Sequence, residues 1–239
     1  MKLRFSIPYR TEWGEQLVVE LTYLLQDGNQ RKDAIVMQTQ DGEQWTAETT
    51  SVESRRSRIA SFTYIYKVVD VDNRELRREW DMAPRNYAFD DSKTFTFQDQ
   101  WRDYPLPLHL YSNAYAVTAG FKRNETIELP QLPLFRRTIL FRISAPQLTK
   151  HQHVAIIGSH PVLGSWNPAR YLSMQYVGMK EWMLTVNVYG LQLPLEYKYV
   201  IVDDETHELV AWEEGENRVV DADVAEGEVL VLHGGVIRY

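Results

Sequence analysis

The side chains of this sequence best suited to chemistry gather between residues 158 and 218. Trp166 lies in the stretch Gly158-Ser159-His160-Pro161-Val162-Leu163-Gly164-Ser165-Trp166-Asn167-Pro168. Lys198 lies in Glu196-Tyr197-Lys198-Tyr199, and Trp212 opens Trp212-Glu213-Glu214-Gly215-Glu216-Asn217-Arg218. Both tryptophans are embedded in Ser, Asn, Pro, Gly and Glu, loop chemistry that normally lies at the surface. That argues against the competing reading of both as core residues. A surface indole offers a flat apolar face, and Lys, Asn and Glu beside it offer donors and acceptors. Lys198 alternates with Tyr197 and Tyr199 on a strand and, taken alone, reads as a solvated outer-face lysine.

Bond-making chemistry is poorly served. Glu213, Glu214 and Glu216 supply carboxylates, but paired acid/base work on a glycosidic bond needs a deep cleft on a rigid scaffold. A hairpin loop does not supply one, and a solvated acidic turn is the better reading. His151 and His153 alternate at a strand start, and with His160 they lack a carboxylate at metal-ligand spacing. No Gly-x-Ser-x-Gly elbow and no Gly-rich phosphate loop occurs. The sequence therefore assigns no catalytic residue, no metal and no cofactor.

The 239 residues suffice for one large or two ordinary domains, and 44% hydrophobic with 25% charged residues is a soluble globular balance. A net charge of −7 disfavours nucleic acid and anionic membranes as partners. With no cysteine there is no disulfide framework or thiolate chemistry. The opening residues alternate instead of forming an apolar signal core, and no apolar run is long enough to span a bilayer. The expectation is a cytoplasmic location.

The elements that must position these residues are short strands. Residues 2–7 alternate, with Leu3, Phe5 and Ile7 on one face; residues 16–21, 34–37, 44–50, 61–70 and 94–97 continue the pattern. Residues 80–87 read as a loop. In the second half, residues 138–144, 153–157, 182–188, 195–203, 208–212 and 229–232 read as strands. No stretch has convincing helical periodicity. The fold class is all-β, two antiparallel immunoglobulin-like β-sandwiches in tandem. The boundaries are 1–98 for a first module, 99–134 for a Pro-rich, partly packed connector and 135–239 for a second module.

An internal repeat supports the division. Phe62-Thr63-Tyr64-Ile65-Tyr66-Lys67-Val68 matches Leu195-Glu196-Tyr197-Lys198-Tyr199-Val200 with Lys67 over Lys198; Trp80 then falls over Trp212 and Trp45 over Trp182. The first half lacks the loop tryptophan, and its ending reads Trp80-Asp81-Met82-Ala83-Pro84-Arg85-Asn86.

From the Leu-Gly-Ser-Trp loop to the Trp-Glu-x-Gly-x-Asn-Arg ending, the second half resembles a starch-binding domain, carbohydrate-binding module family 20. The resemblance covers the second half closely and the first half loosely. It implies binding of α-1,4-glucans: starch, glycogen, maltooligosaccharides or cyclodextrin. By the same resemblance Trp166 and Trp212 stack on sugars, and Lys198 and Asn217 supply hydrogen bonds, with Glu213 beside them in the main site. A second, smaller site would use Tyr176 and Trp182. Trp182 shares its face with Leu184 and Val186, which suits a core residue equally well. In the first half Lys67 and Trp80 remain, and Trp13 could replace the missing loop tryptophan or pack as a plain loop aromatic. Tandem modules of this type resemble the N-terminal region of cytosolic disproportionating 4-α-glucanotransferases, amylomaltases of glycoside hydrolase family 77. That implies a covalently linked catalytic domain in a longer protein. The rival expectation is a glycogen-sensing or scaffold module that docks on a protein partner.

Overall fold

The computed structural model describes residues 1–51, 58–81, 84–103, 129 and 131–238. The chain divides into two compact units, Met1–Leu129 and Pro130–Tyr239. The connector expectation falls largely on residues 104–128, which lie outside the described residues.

In the first unit one sheet contains β1 (Lys2–Pro8), β4 (Gln38–Thr39), β5 (Gln44–Thr50) and β9 (Thr94–Gln98), in the order β9-β1-β5-β4. The facing sheet contains β2 (Gln16–Leu25), β3 (Gln30–Val36), β6 (Ile59–Val69) and β7 (Glu75–Arg78), in the order β3-β2-β6-β7, with β8 (Arg85–Ala88) also on β6. Alternation dictates the layers. Phe5 on β1 and Tyr64 on β6 point inward and meet edge to face at 5.0 Å, and Phe97 stacks on Phe5 at 5.2 Å. The architecture is all-β, as expected, and β1 and β9 run parallel where an antiparallel neighbour was expected. The expected loop at residues 80–87 ends in strand β8, and β7 lacks any alternation signal because its residues are Glu75, Leu76, Arg77 and Arg78.

The second unit repeats this plan. One sheet runs β13-β14-β10-β18, from β10 (Arg137–Ser144), β13 (Gln175–Gly178), β14 (Glu181–Asn187) and β18 (Glu228–Val236). The other runs β12-β11-β15-β16, from β11 (Gln152–Gly158), β12 (Leu172–Ser173), β15 (Leu195–Asp203) and β16 (Leu209–Trp212), with β17 (Arg218–Val220) also on β15. Again one sheet holds a parallel pair, β10 with β18. Phe141 meets Tyr197 edge to face at 4.9 Å. The rest of this core is mostly aliphatic, including Ile139, Ile143, Val154, Ile156 and Leu230.

Each unit encloses a charged anchor against a core tyrosine, Tyr66 in the first and Tyr199 in the second. In the first, Arg85 donates to both oxygens of Glu79, at 2.5 and 2.9 Å, and lies 5.2 Å from the centre of the Tyr66 ring. Glu79 and Tyr66 also exchange backbone bonds: Glu79 N–H to the Tyr66 carbonyl at 3.0 Å, and Tyr66 N–H to the Glu79 carboxylate at 2.9 Å. Asp99 accepts from the hydroxyls of Tyr64 and Tyr66 at 2.9 and 2.6 Å. Arg85, Glu79 and Asp99 side chains are fully buried. Burial pushes the Asp99 carboxyl up, with Arg85 opposing. Trp80 N–H donates to the Arg102 carbonyl, and Trp101 packs on Tyr9 at 4.3 Å. Residues 99–103, read from sequence as the start of a connector, are therefore part of the first unit.

Candidate functional site

The outer face of the β12-β11-β15-β16 sheet is where the sequence-selected residues meet. Directly opposed residues of antiparallel strands share a face. Ile157 pairs with Lys198, Ala155 with Val200, and Val200 with Trp212. Ala155, Ile157, Val200 and Val202 form an apolar strip on this face, and Trp166 packs against it. Tyr197 and Tyr199 point the other way, into the core.

The loop after β11 explains how Trp166 arrives there. His160 and Asn167 each cap a short 3-10 turn, at Pro161–Leu163 and Pro168–Arg170. Between them Gly164, Ser165 and Trp166 all take positive φ, at 87°, 52° and 56°. Left-handed backbone costs a non-glycine residue about 1–2 kcal/mol, so Ser165 and Trp166 are held there by their surroundings. Leu163 anchors the loop in the core, and Trp166 N–H donates to the Gly158 carbonyl at 2.8 Å. Two glycines are required by space. A Cβ on Gly158 would sit 2.4 Å from the Glu196 carbonyl, and one on Gly164 would sit 2.2 Å from the Arg170 carbonyl.

The opposite wall is the loop after β16. Trp212 is 40% exposed, a large value for an indole on a strand. The Lys198 ammonium donates to the carbonyls of Glu213 at 3.0 Å and Gly215 at 2.5 Å. With three donors, it retains one for a ligand. Asn217 donates from Nδ2 to Glu196 Oε2 at 2.9 Å. Glu196 occupies the same face of β15 as Lys198 and is exposed. Sequence reasoning passed over Glu196; its place two residues before Lys198 on an alternating strand was the signal that could have found it.

Glu213 is placed differently from the expectation that it faces a ligand. Its side chain is fully buried, and Oε1 accepts from Arg218 Nη2 at 2.6 Å and from Arg238 Nε at 3.0 Å. Its N–H donates to the Tyr199 carbonyl at 2.9 Å, and Arg218 lies 5.1 Å from the Tyr199 ring centre. Burial pushes the Glu213 carboxyl up, but hydrogen bonds and charge from Arg218 and Arg238 outweigh it and hold the group below its ordinary value. Glu213 roots the loop that carries Trp212 and Asn217.

Tyr176 and Trp182 form a separate pair. They are cross-strand partners on β13 and β14 with ring centres 5.2 Å apart and planes at 60°. Tyr176 is 42% exposed, whereas Trp182 is half-buried against the core. Trp182 thus packs on the core while its ring also meets Tyr176.

The first-unit candidates are not gathered in this way. Trp13 stands fully in solvent, Trp80 is buried and Lys67 is paired with Glu20 at 3.0 Å. Matching the charged anchors gives a register between the two units different from the sequence alignment of Lys67 with Lys198. Glu79 contacts Tyr66 as Glu213 contacts Tyr199. Lys67 pairs with Arg78 across the ladder as Val200 pairs with Trp212. The counterpart of Lys198 is thus the buried Ile65, and that of Trp212 is Arg78.

One sheet face of a β-sandwich thus presents a loop tryptophan and a strand tryptophan around a strand lysine, flat apolar faces with polar groups beside them. Residues 137–229, within the second unit, match the family model described as starch binding domain. Over its whole length the chain is similar to the 4-alpha-glucanotransferase DPE2 of Oryza sativa subsp. japonica, 26% identical over 254 aligned positions that cover 99% of this chain. The chain spans about a quarter of that relative, 26% of its length. Among solved structures it is similar to the family 20 CBM of a maltotetraose-forming amylase from Pseudomonas saccharophila STB07. That match has 21% identity and a TM-score of 0.33, over 39% of this chain and 98% of that one. It is also similar to a gamma-CGTase from an alkalophilic Bacillus clarkii, with 16% identity and a TM-score of 0.37 over 91% of this chain and 23% of that one.

Proposed function

We propose that this chain binds α-1,4-glucans of the starch and glycogen type through its second unit, without breaking or forming glycosidic bonds. The observation that carries the reading is the shared face of Trp166, Lys198 and Trp212, with the Asn217–Glu196 pair beside them. A pyranose has an apolar C–H face and a rim of hydroxyls. Each stacked ring contributes on the order of 1–2 kcal/mol by area burial, and the free Lys198 donor, Glu196 and Asn217 suit the rim. The Tyr176–Trp182 pair is a second, smaller sugar site on the same unit.

The first unit is, on this reading, a divergent copy of the second. Its support is the recurrence of one anchor geometry, Arg85–Glu79–Tyr66 in one unit and Arg218–Glu213–Tyr199 in the other. Its Leu25-to-Gln30 turn carries no tryptophan, which leaves Trp13 as its exposed ring among the described residues. The match to the rice enzyme supports a role as the glucan-binding part of a 4-α-glucanotransferase whose active site lies elsewhere in a longer protein. Titration calorimetry of the purified chain with β-cyclodextrin and soluble starch tests the binding. Saturable heat competed by maltooligosaccharide is the expected result, and no heat with either ligand overturns the reading.

A further inference from the structure

Beyond Trp166 and Trp212, the outer face of the second unit carries another ring. Tyr171 is half-buried on the strip of Ala155, Ile157, Val200 and Val202 that supports Trp166. Its hydroxyl donates to the His207 carbonyl at 3.3 Å, which ties the ring to the turn after β15. Beside it lies His153, with ring centres 6.1 Å apart and planes at 59°. Both nitrogens of His153 are engaged: Nδ1 with Asp204 Oδ1 at 2.6 Å and Nε2 with Ser173 Oγ at 2.9 Å. The imidazole is thereby a bracket between edge strand β12 and the turn. The hydroxyl of Ser173 and the carboxylate of Asp204 remain open to solvent, the latter side chain 44% exposed.

The order Ser173–His153–Asp204 is that of a hydrolytic relay. Such a relay also needs donors for an oxyanion and exclusion of water, and Ser173 stands open on a two-residue edge strand. The composition fits a different task. An aromatic ring on an apolar strip, with a hydroxyl and a carboxylate at its edge, is complementary to one more pyranose. We propose that Tyr171, rimmed by Ser173 and Asp204, is a third glucosyl subsite that continues the track of Trp166. It rests on the glucan-binding reading above and extends it: the second unit engages a longer chain than its two tryptophans cover.

The test is a chain-length series on the whole chain. Dissociation constants for maltotriose and maltoheptaose are measured by titration calorimetry for the unaltered protein and for Tyr171→Leu, which keeps an apolar contact with the strip but removes the flat face and the hydroxyl. The ratio of the two constants is expected to be about tenfold in the unaltered protein and to fall to about threefold in the variant, because leucine keeps part of the apolar contact but not the flat stacking face. Near-ultraviolet circular dichroism establishes that the variant is folded. Should it not fold, Asp204→Asn serves instead and is expected to lower the ratio about twofold by weakening one hydroxyl contact. A ratio near one in the unaltered protein, or an unchanged ratio in a folded variant, overturns the third subsite alone. Failure of the unaltered protein to bind either sugar overturns the underlying glucan-binding reading instead.

Discussion

Trp212 and Glu213 are neighbours in sequence and opposites in environment: the indole is 40% exposed, and the adjoining carboxylate is fully buried between Arg218 and Arg238. On a strand, successive side chains point to opposite faces. Here that rule puts a candidate binding surface on one side and its electrostatic root on the other. The loop can present Trp212 and Asn217 because Glu213 pins it from below.

Removing that root should damage the site from behind. Glu213→Ala leaves Arg218, 16% exposed, without its main partner. Breaking such a pair costs on the order of 3 kcal/mol. We expect a lower melting temperature by calorimetry and a loss of β-cyclodextrin affinity, although the Glu213 carboxylate is fully buried beneath the loop. Unchanged melting would show that the pair contributes nothing.

The same group sets an acid limit. The folded-state value of Glu213 is depressed below the ordinary 4.5 by Arg218 and Arg238, against the opposing effect of burial. A depressed carboxylate contributes stability that is fully present above its unfolded value and is lost as pH falls through the folded value. Binding and stability of the second unit should therefore hold down to about pH 5 and decline below about pH 4. A Glu213→Gln variant should show a flatter acid limb in thermal melts from pH 6 to 3.

The stacking residues should separate affinity from stability. Trp166→Ala and Trp212→Ala are each expected to weaken β-cyclodextrin binding about tenfold or more, with small effects on melting. Trp80→Ala should do the reverse. Its side chain is buried in the first unit, 8% exposed, so truncation costs about 3–5 kcal/mol of stability there. Titration of each variant would expose the error if Trp80→Ala abolished binding and Trp212→Ala spared it.

Backbone space around Trp166 gives a further test. Gly164→Ala would force a Cβ to within 2.2 Å of the Arg170 carbonyl at a φ of 87°. The strain and clash should cost about 1–3 kcal/mol and displace the Trp166 loop. The intrinsic fluorescence change on glucan binding should shrink accordingly. Wild-type affinity in this variant would mean that the loop is free to adapt.

The all-β class, most of the strands and the surface pair Trp166 and Trp212 were legible in the sequence. Alternation and turn residues are local properties, and an indole between Ser and Asn-Pro has few places to go but a loop. The strands passed over were those without alternation, such as β7 with its two arginines, and those too short to show a period, such as Leu172–Ser173. The fate of Glu213 was not legible, because its partners Arg218 and Arg238 are brought to it only by strands β17 and β18 and the residues that follow.

What the sequence determined by itself is that two stretches of this chain carry the same aromatic strand pattern and that one of them holds the loop tryptophan. What only the tertiary structure decided is their register. Aligning Lys67 with Lys198 places Tyr66 over Tyr197, yet the contacts of Glu79 and Glu213 place Tyr66 over Tyr199. The two choices differ by two residues, and a strand has a period of two. Such a slip keeps every inward residue inward and every outward residue outward, so hydrophobic pattern cannot detect it. Hydrogen bonds between strands and the buried arginine–glutamate pairs distinguish the two, because they depend on which residue sits opposite which.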